Sequence, residues 1–135
     1  MKYGSIKYGE RKYGYGDVSF IFDRTIEDIQ NNTEKAYINY TDMNRLNKNI
    51  NTLGELTNVE MSVKIDYKEG DFLTMSDFII LEDNLKLAYE NVRDYFPQEF
   101  ISTIELSNFN YQSLNRFEKM ILKVYQSAIR KKEMN

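Results

Sequence analysis

Few residues of this chain are equipped for catalysis. Its 135 residues include no histidine and no cysteine. That removes the commonest general base, thiol nucleophiles, thiolate zinc sites, iron–sulfur clusters and disulfides. Carboxylates remain. Glu27-Asp28 and Glu82-Asp83 are adjacent pairs, but glycosidases need two carboxylates facing each other across one bond, and helical neighbours splay onto different faces. Asp66, Glu69 and Asp71 crowd around Gly70. They lack the alternating oxygen ligands and closing Glu of an EF-hand, so they read as a solvated acidic turn. Gly4, Gly9, Gly14 and Gly16 do not stand between a buried strand and a helix, as a phosphate-binding loop requires. The expectation is a protein that is not an enzyme, with no catalytic residues, no metal site and no cofactor.

Polar residues recur in a pattern that suggests structure rather than chemistry. Asn44-Arg45 and Asn115-Arg116 share one spacing within their segments, and Asn49 and Asn84 share another. A buried asparagine is costly unless hydrogen-bonded. The recurrence fits either a shared polar contact, between helices or with a connecting loop, or exposed places beside an apolar stripe. Asp42 and Asp77 each follow a candidate cap, where a carboxylate supports the cap and the helix dipole.

The elements that carry these residues follow from apolar spacing. Met43, Leu46, Ile50 and Leu53 have offsets of 0, 3, 7 and 10. Phe78, Leu81, Leu85 and Ala88 repeat those offsets, as do Leu114, Phe117, Ile121 and Val124. Each set draws one narrow stripe on a helix. The spacing predicts three capped amphipathic helices at about 41–56, 76–95 and 113–132, a degenerate repeat of about 35 residues. The expected caps are Thr41, Ser76 and Ser113 or Gln112, with Tyr40, Leu73 and Tyr111 as hydrophobic staples. Thr25 is expected to cap a short first helix reaching about Thr33, with Glu27 and Asp28 in its first turn. Val18–Phe22 reads as a short buried strand or extended stretch. Val59–Ile65 alternates strictly, which predicts a half-buried strand. Phe100–Leu106, after Pro97, reads as extended or as a turn of helix.

The N-terminus differs in kind. Lys-Tyr-Gly occurs three times with a period of five, at Lys2-Tyr3-Gly4, Lys7-Tyr8-Gly9 and Lys12-Tyr13-Gly14, and Tyr15-Gly16 follows. Tyrosine favours extended backbone and glycine breaks helices. An odd period puts successive tyrosines on opposite faces of a flat strand. The segment has no apolar face on which to fold alone. Two readings follow, a frayed terminus or an extended arm that gains order by strand addition to a neighbouring subunit, and the regular spacing of the tyrosines favours the arm. Charge agrees: residues 1–16 carry a net +3 and residues 119–135 a net +4, which leaves −10 between them within a total of −3. Basic ends around an acidic body suit electrostatic docking, while the C-terminal cluster also fits plain helix design, with cations complementing the dipole at a helix C-terminus; nucleic-acid binding calls for a contiguous basic face. No apolar run approaches the ~20 residues needed to span a bilayer, and no apolar stretch after Lys2 and Lys7 suggests a secretory signal.

Three blocks carry a family resemblance. The first is Phe22-Asp23-Arg24-Thr25-Ile26-Glu27-Asp28-Ile29 with Ala36-Tyr37-Ile38-Asn39-Tyr40-Thr41-Asp42-Met43-Asn44-Arg45-Leu46. The second runs from Asp66-Tyr67-Lys68 through Thr74-Met75-Ser76-Asp77-Phe78. The third is Asn108-Phe109-Asn110-Tyr111 through Asn115-Arg116-Phe117-Glu118. Together they resemble a module of tail and baseplate proteins from tailed phages of Gram-positive bacteria and related phage-tail-like particles, over about residues 20–120. The resemblance implies a non-enzymatic virion part, present in several copies, with no catalytic residues to carry over.

The combined expectation is mainly α: a small helical bundle of repeated capped helices (residues 18–135) with short extended or β segments and an extended Tyr/Gly arm (residues 1–17). The expected function is a structural component of a phage tail or baseplate. Its subunit interface would be Tyr3, Tyr8, Tyr13, Tyr15, Lys2, Lys7 and Lys12, with tyrosine burial and backbone bonding for affinity and lysines for steering. Expected partners are other tail or baseplate proteins and further copies of the chain, not nucleic acid and not membrane. The expected location is the virion, after assembly in the host cytoplasm. The alternative is a small phage regulatory protein that binds and inhibits a host protein.

Overall fold

A computed structural model describes residues 5–8 as backbone, and residues 18–33, 38–96 and 110–134. The chain is mainly helical. Strands β1 (Ser5–Tyr8) and β2 (Val18–Ile21) precede helices α1 (Ile26–Gln30), α2 (Tyr40–Thr57), α3 (Met75–Val92) and α4 (Tyr111–Met134), and a 3-10 turn at Arg93–Tyr95 follows α3. Helices α2, α3 and α4 all pack on one another. All twelve residues of the three apolar stripes are buried in their shared core. Burial of each large side chain there is worth roughly 1.5–3 kcal/mol. Val18 and Phe20 of β2 join that core, and Phe20 lies 6.1 Å from the Tyr125 ring.

The three long helices run in the same direction. Arg45 in the second turn of α2 reaches Glu118 in the second turn of α4. At the other end, Lys131 Nζ of α4 donates to the Asn91 carbonyl of α3 at 2.7 Å. A cleft of about 510 Å³ there is lined by Thr57, Asn58, Val92 and Ala128, so the C-terminal ends of all three helices meet. An 18-residue helix is about 27 Å long, and contacts at both ends exclude an antiparallel arrangement. The described connection from α2 to α3 must therefore travel back along the bundle.

The segment after α2 makes that return. It leaves a left-handed Asn58 (φ 56°), and the Val59 N–H closes on the Gly54 carbonyl at 2.9 Å. It passes Asn84 in mid-α3 at Ser62 and reaches the helix starts at Tyr67. Among the described residues the predicted strand Val59–Ile65 has no ladder partner. Met61 and Val63 do pack on the core between exposed Glu60 and Ser62, but the backbone is bonded by asparagine side chains instead of a neighbouring strand. Alternation reported the half-burial as far as Val63, whereas Ile65 is 47% exposed, and it could not report the pairing.

Helix starts also differ from expectation, and uniformly. The caps are Asn39 and Thr74 instead of Thr41 and Ser76. In α4, Asn110 Oδ1 accepts from the N–H groups of Gln112 and Ser113, so the cap there is neither of those residues. Asp42 and Asp77 close capping boxes back to Asn39 and Thr74. Each helix thus begins one turn ahead of its first core residue. Tyr40 and Tyr111 are the first helical residues, while Leu73 stands where a staple belongs. The short α1 has the expected Thr25 cap, in a capping box closed by Asp28, but ends at Gln30, with Asn32 at φ 53°. Pro97 and the segment Phe100–Leu106 lie outside the described residues.

Candidate functional site

Of the predicted interface residues, Lys7 and Tyr8 fall in β1, which pairs antiparallel with the chain's own β2 in the register Lys7↔Ser19 and Tyr8↔Val18. Lys2, Tyr3, Lys12, Tyr13 and Tyr15 lie outside the described residues. The site that the described residues do assemble is the slot that holds β2 and the turn after it.

Successive main-chain groups of a strand point to opposite edges. One edge of β2 faces α2 and α4, where side chains bond it. The Ser19 carbonyl accepts from Asn49 Nδ2 at 2.8 Å and from Arg45 Nη1 at 3.0 Å. The Ile21 N–H donates to Glu118 Oε1 at 2.8 Å, and the Ile21 carbonyl accepts from Arg24 Nη1 at 2.9 Å. Past the strand, Asn115 grips Arg24 twice: its Nδ2 donates to the Arg24 carbonyl at 2.8 Å and its Oδ1 accepts the Arg24 N–H at 3.1 Å. The opposite edge, at Val18 and Phe20, is where β1 lies.

A buried ion cluster underlies the slot. Glu118 is 0% exposed and Arg24 3%. Glu118 Oε2 accepts from Arg24 Nη1 at 2.8 Å and from Arg45 Nη2 at 2.9 Å, while Oε1 accepts from Arg45 Nη1. Asp42 Oδ1 stands 3.2 Å from Arg45 Nη2 and 3.7 Å from Arg24 Nη2. Two guanidiniums meet two carboxylates, so the cluster is neutral. Burial alone would lower the Arg45 pKa. The hydrogen bonds and charge of Glu118, followed by those of Asp42, outweigh burial and raise it. The fork geometry of arginine lets Arg45 bind Glu118 with two parallel bonds while also reaching a strand carbonyl.

A second clamp repeats the design on the other connection. Asn44 Nδ2 donates to the Tyr67 carbonyl at 2.9 Å and Asn44 Oδ1 accepts the Tyr67 N–H at 2.8 Å. Asn44 and Asn115 each follow the first core residue of their helix, and each fixes one peptide backbone with both arms of its amide. Asn49 and Asn84, also matched in position, bond Ser19 and Ser62. Of the two possibilities for the recurrent asparagines, contact with the connecting segments is the one found. The Tyr67 hydroxyl then donates to Asp77 Oδ1 at 2.9 Å. Burial, with the bond to and charge of Asp77, pushes the Tyr67 hydroxyl up to about 12. Burial would also raise Asp77, but bonds from the Thr74 N–H, the Tyr67 hydroxyl and the Thr74 hydroxyl, with the charge of Lys64, outweigh it and hold the carboxyl low.

Chemically, these groups recognise peptide backbone and hold it still. Among the described residues no three carboxylates gather as a metal site, and no helix is long and apolar enough to cross a membrane. Glu82 is half-buried and Asp83 exposed, on different faces of α3 as expected. Asp71 accepts from the Lys68 N–H at 2.8 Å and so stabilises its own turn, in which Gly70 takes φ 89°. Glu118 is the residue that sequence reasoning missed as a site. A signal was present: it is a lone acid set four residues after Leu114 and three before Ile121, on the apolar face of its helix. Comparison with protein families, with curated proteins and with solved structures finds no match for this chain.

Proposed function

We propose that this chain is a structural subunit of a phage tail, baseplate or tail-like particle, with a body of three capped-helix repeats and an N-terminal arm that joins neighbouring subunits. The observation that carries the reading is how β1 is held. Among the described elements the backbone of β1 comes close only to β2, and a nine-residue connection containing Gly9, Gly14 and Gly16 separates the two strands. A strand attached by one ladder edge and a glycine-rich tether is exchangeable: the same edge accepts the same strand from another copy with identical bonding. The slot beneath β2 supports this, because the ion cluster and the asparagine clamps fix the receiving strand from its other side.

The resemblance supports it too. Its first and third blocks contain Arg24, Asp42, Asn44, Arg45, Asn115 and Glu118, the residues that anchor the extended segments. Residues that build a rigid body suit a scaffold better than a catalyst.

The test is deletion of residues 1–16, alongside Ile6→Pro, which removes a main-chain donor from the middle of β1. Both proteins should keep the helical circular dichroism of the body and be excluded from particles that the intact chain enters at fixed stoichiometry. Normal incorporation of the truncated protein would overturn the proposal. So would an intact chain never found in particles, which is the outcome the regulatory alternative requires.

A further inference from the structure

The segment from Val18 to Arg24 is held by the helices as a bound peptide would be. Val18, Phe20 and Arg24 are buried. The bonds that fix its backbone come from Arg45 and Asn49 of α2 and from Asn115 and Glu118 of α4. Phe22 adds a ring face 5.6 Å from Lys119 Nζ, also of α4. Arg24 makes the slot selective. Without it Glu118 and Asp42 would share Arg45, which leaves a buried negative charge uncompensated. The fitting ligand is an extended segment with apolar residues at its first and third positions and an arginine at its seventh.

None of those bonds comes from the stretch that joins the segment to α2. From Thr25 to Thr33 no residue is buried, and among the described elements the backbone of α1 comes close to none. Its cap bonds close within the stretch: the Asp28 N–H donates to the Thr25 hydroxyl, and the Thr33 hydroxyl donates to Asp28 Oδ1 at 2.7 Å. Thirteen residues, 25–37, separate Arg24 from Ile38, where core packing resumes among the described residues. Fully extended they would reach about 45 Å, well beyond the ~27 Å length of α2. The slot reads only residues 18–24, and a second copy carries the same seven residues on the same long tether.

We propose that residues 18–24 are an exchangeable insert, which a second copy of this chain receives between its own α2 and α4 while giving its own segment in return. The trade is reciprocal, so it closes as a two-fold dimer. β1 travels with β2 and their ladder stays intact, whereas the arm reading has β1 leave β2 for a neighbour. The two proposals therefore fail separately.

The test pairs two full-length variants, one with a faulty segment (Arg24→Ala) and one with a faulty slot (Glu118→Ala). Each alone buries a charge without its main partner. In a mixed dimer the intact slot receives the intact segment, and the two alanines meet in the other slot. The variants are refolded together from urea at about 100 µM, within roughly tenfold of the millimolar effective concentration at which a tethered segment competes. Sedimentation should show a dimer in the mixture that neither variant forms alone, and the mixture should unfold at a higher midpoint than either. Where a variant does not fold by itself, the mixture should regain the helical circular dichroism it lacks. As a control, Arg24→Ala is mixed with a chain carrying both substitutions, which offers no intact segment and should give no dimer. A first mixture that gains neither mass nor stability over its separate variants overturns the proposal. So does a control mixture that dimerises equally well.

Discussion

The Ile21 N–H donates to Glu118 Oε1 at 2.8 Å across 97 residues of sequence. A carboxylate that is 0% exposed thereby serves both as the counter-ion of two arginines and as a substitute for a neighbouring strand. The double duty explains why a costly buried charge is placed here. An apolar residue could fill the space but could not accept the strand's N–H.

Glu118→Gln should therefore cost ~3–5 kcal/mol, because it leaves buried Arg24 and half-buried Arg45 to share Asp42 as a single counter-charge. Chemical denaturation measures this directly. Replacing Arg24, Arg45 and Glu118 together by apolar residues should not recover full stability, unlike a plain buried triad, since the Ile21 N–H and Ser19 carbonyl lose bonds.

Asn44→Ala should cost ~1–3 kcal/mol by unpairing both main-chain groups of Tyr67. Amide exchange at Tyr67 should speed up while exchange in the middle of α2 does not. Asn44→Asp keeps an acceptor for the Tyr67 N–H, so exchange at Tyr67 should stay slow even though the donor to its carbonyl is gone.

The Tyr67–Asp77 bond should shape both ends of the pH–stability curve. Tyr67 is raised from 10.0 to about 12, so its contribution is complete below pH 10 and disappears as pH rises towards 12. Asp77 is lowered from 3.8, so its contribution is complete above that value and disappears as pH falls below it. Tyr67→Phe should remove the alkaline limb and leave a shallower acid limb, maintained by Thr74. Denaturation midpoints across pH check both limbs.

Gly54→Ala should destabilise despite the ~1 kcal/mol that alanine ordinarily adds within a helix. A Cβ at Gly54 would stand 2.8 Å from the Val59 carbonyl oxygen, where the connection turns back across α2. Asn58→Gly should be neutral or slightly stabilising, since Asn58 is left-handed at φ 56°. Thermal unfolding of the two variants should shift in opposite directions or differ by several degrees.

The helices were legible in the sequence because one strong signal, apolar spacing, is local. Met43 through Val124 declared their buried faces, and every stripe residue is in the core. The caps were misplaced because Thr41 and Ser76 are as suitable chemically as Asn39 and Thr74; only the extra turn before the first core residue tells them apart. The asparagine pattern was visible, but its partners were not: a clamp between Asn115 and Arg24 spans 91 residues, and no periodicity encodes that distance. The cluster at Glu118 was hidden for the same reason, with its strand and its arginines supplied by remote segments.

Because α2, α3 and α4 share one direction, their peptide dipoles add where alternating helices would cancel. Each contributes about half an elementary charge at each end. Asp42 and Asp77 sit at the amide pole, and Lys131 and Lys132 at the carbonyl pole. The body is thus a vector, and any object built by stacking it end to end inherits a head and a tail.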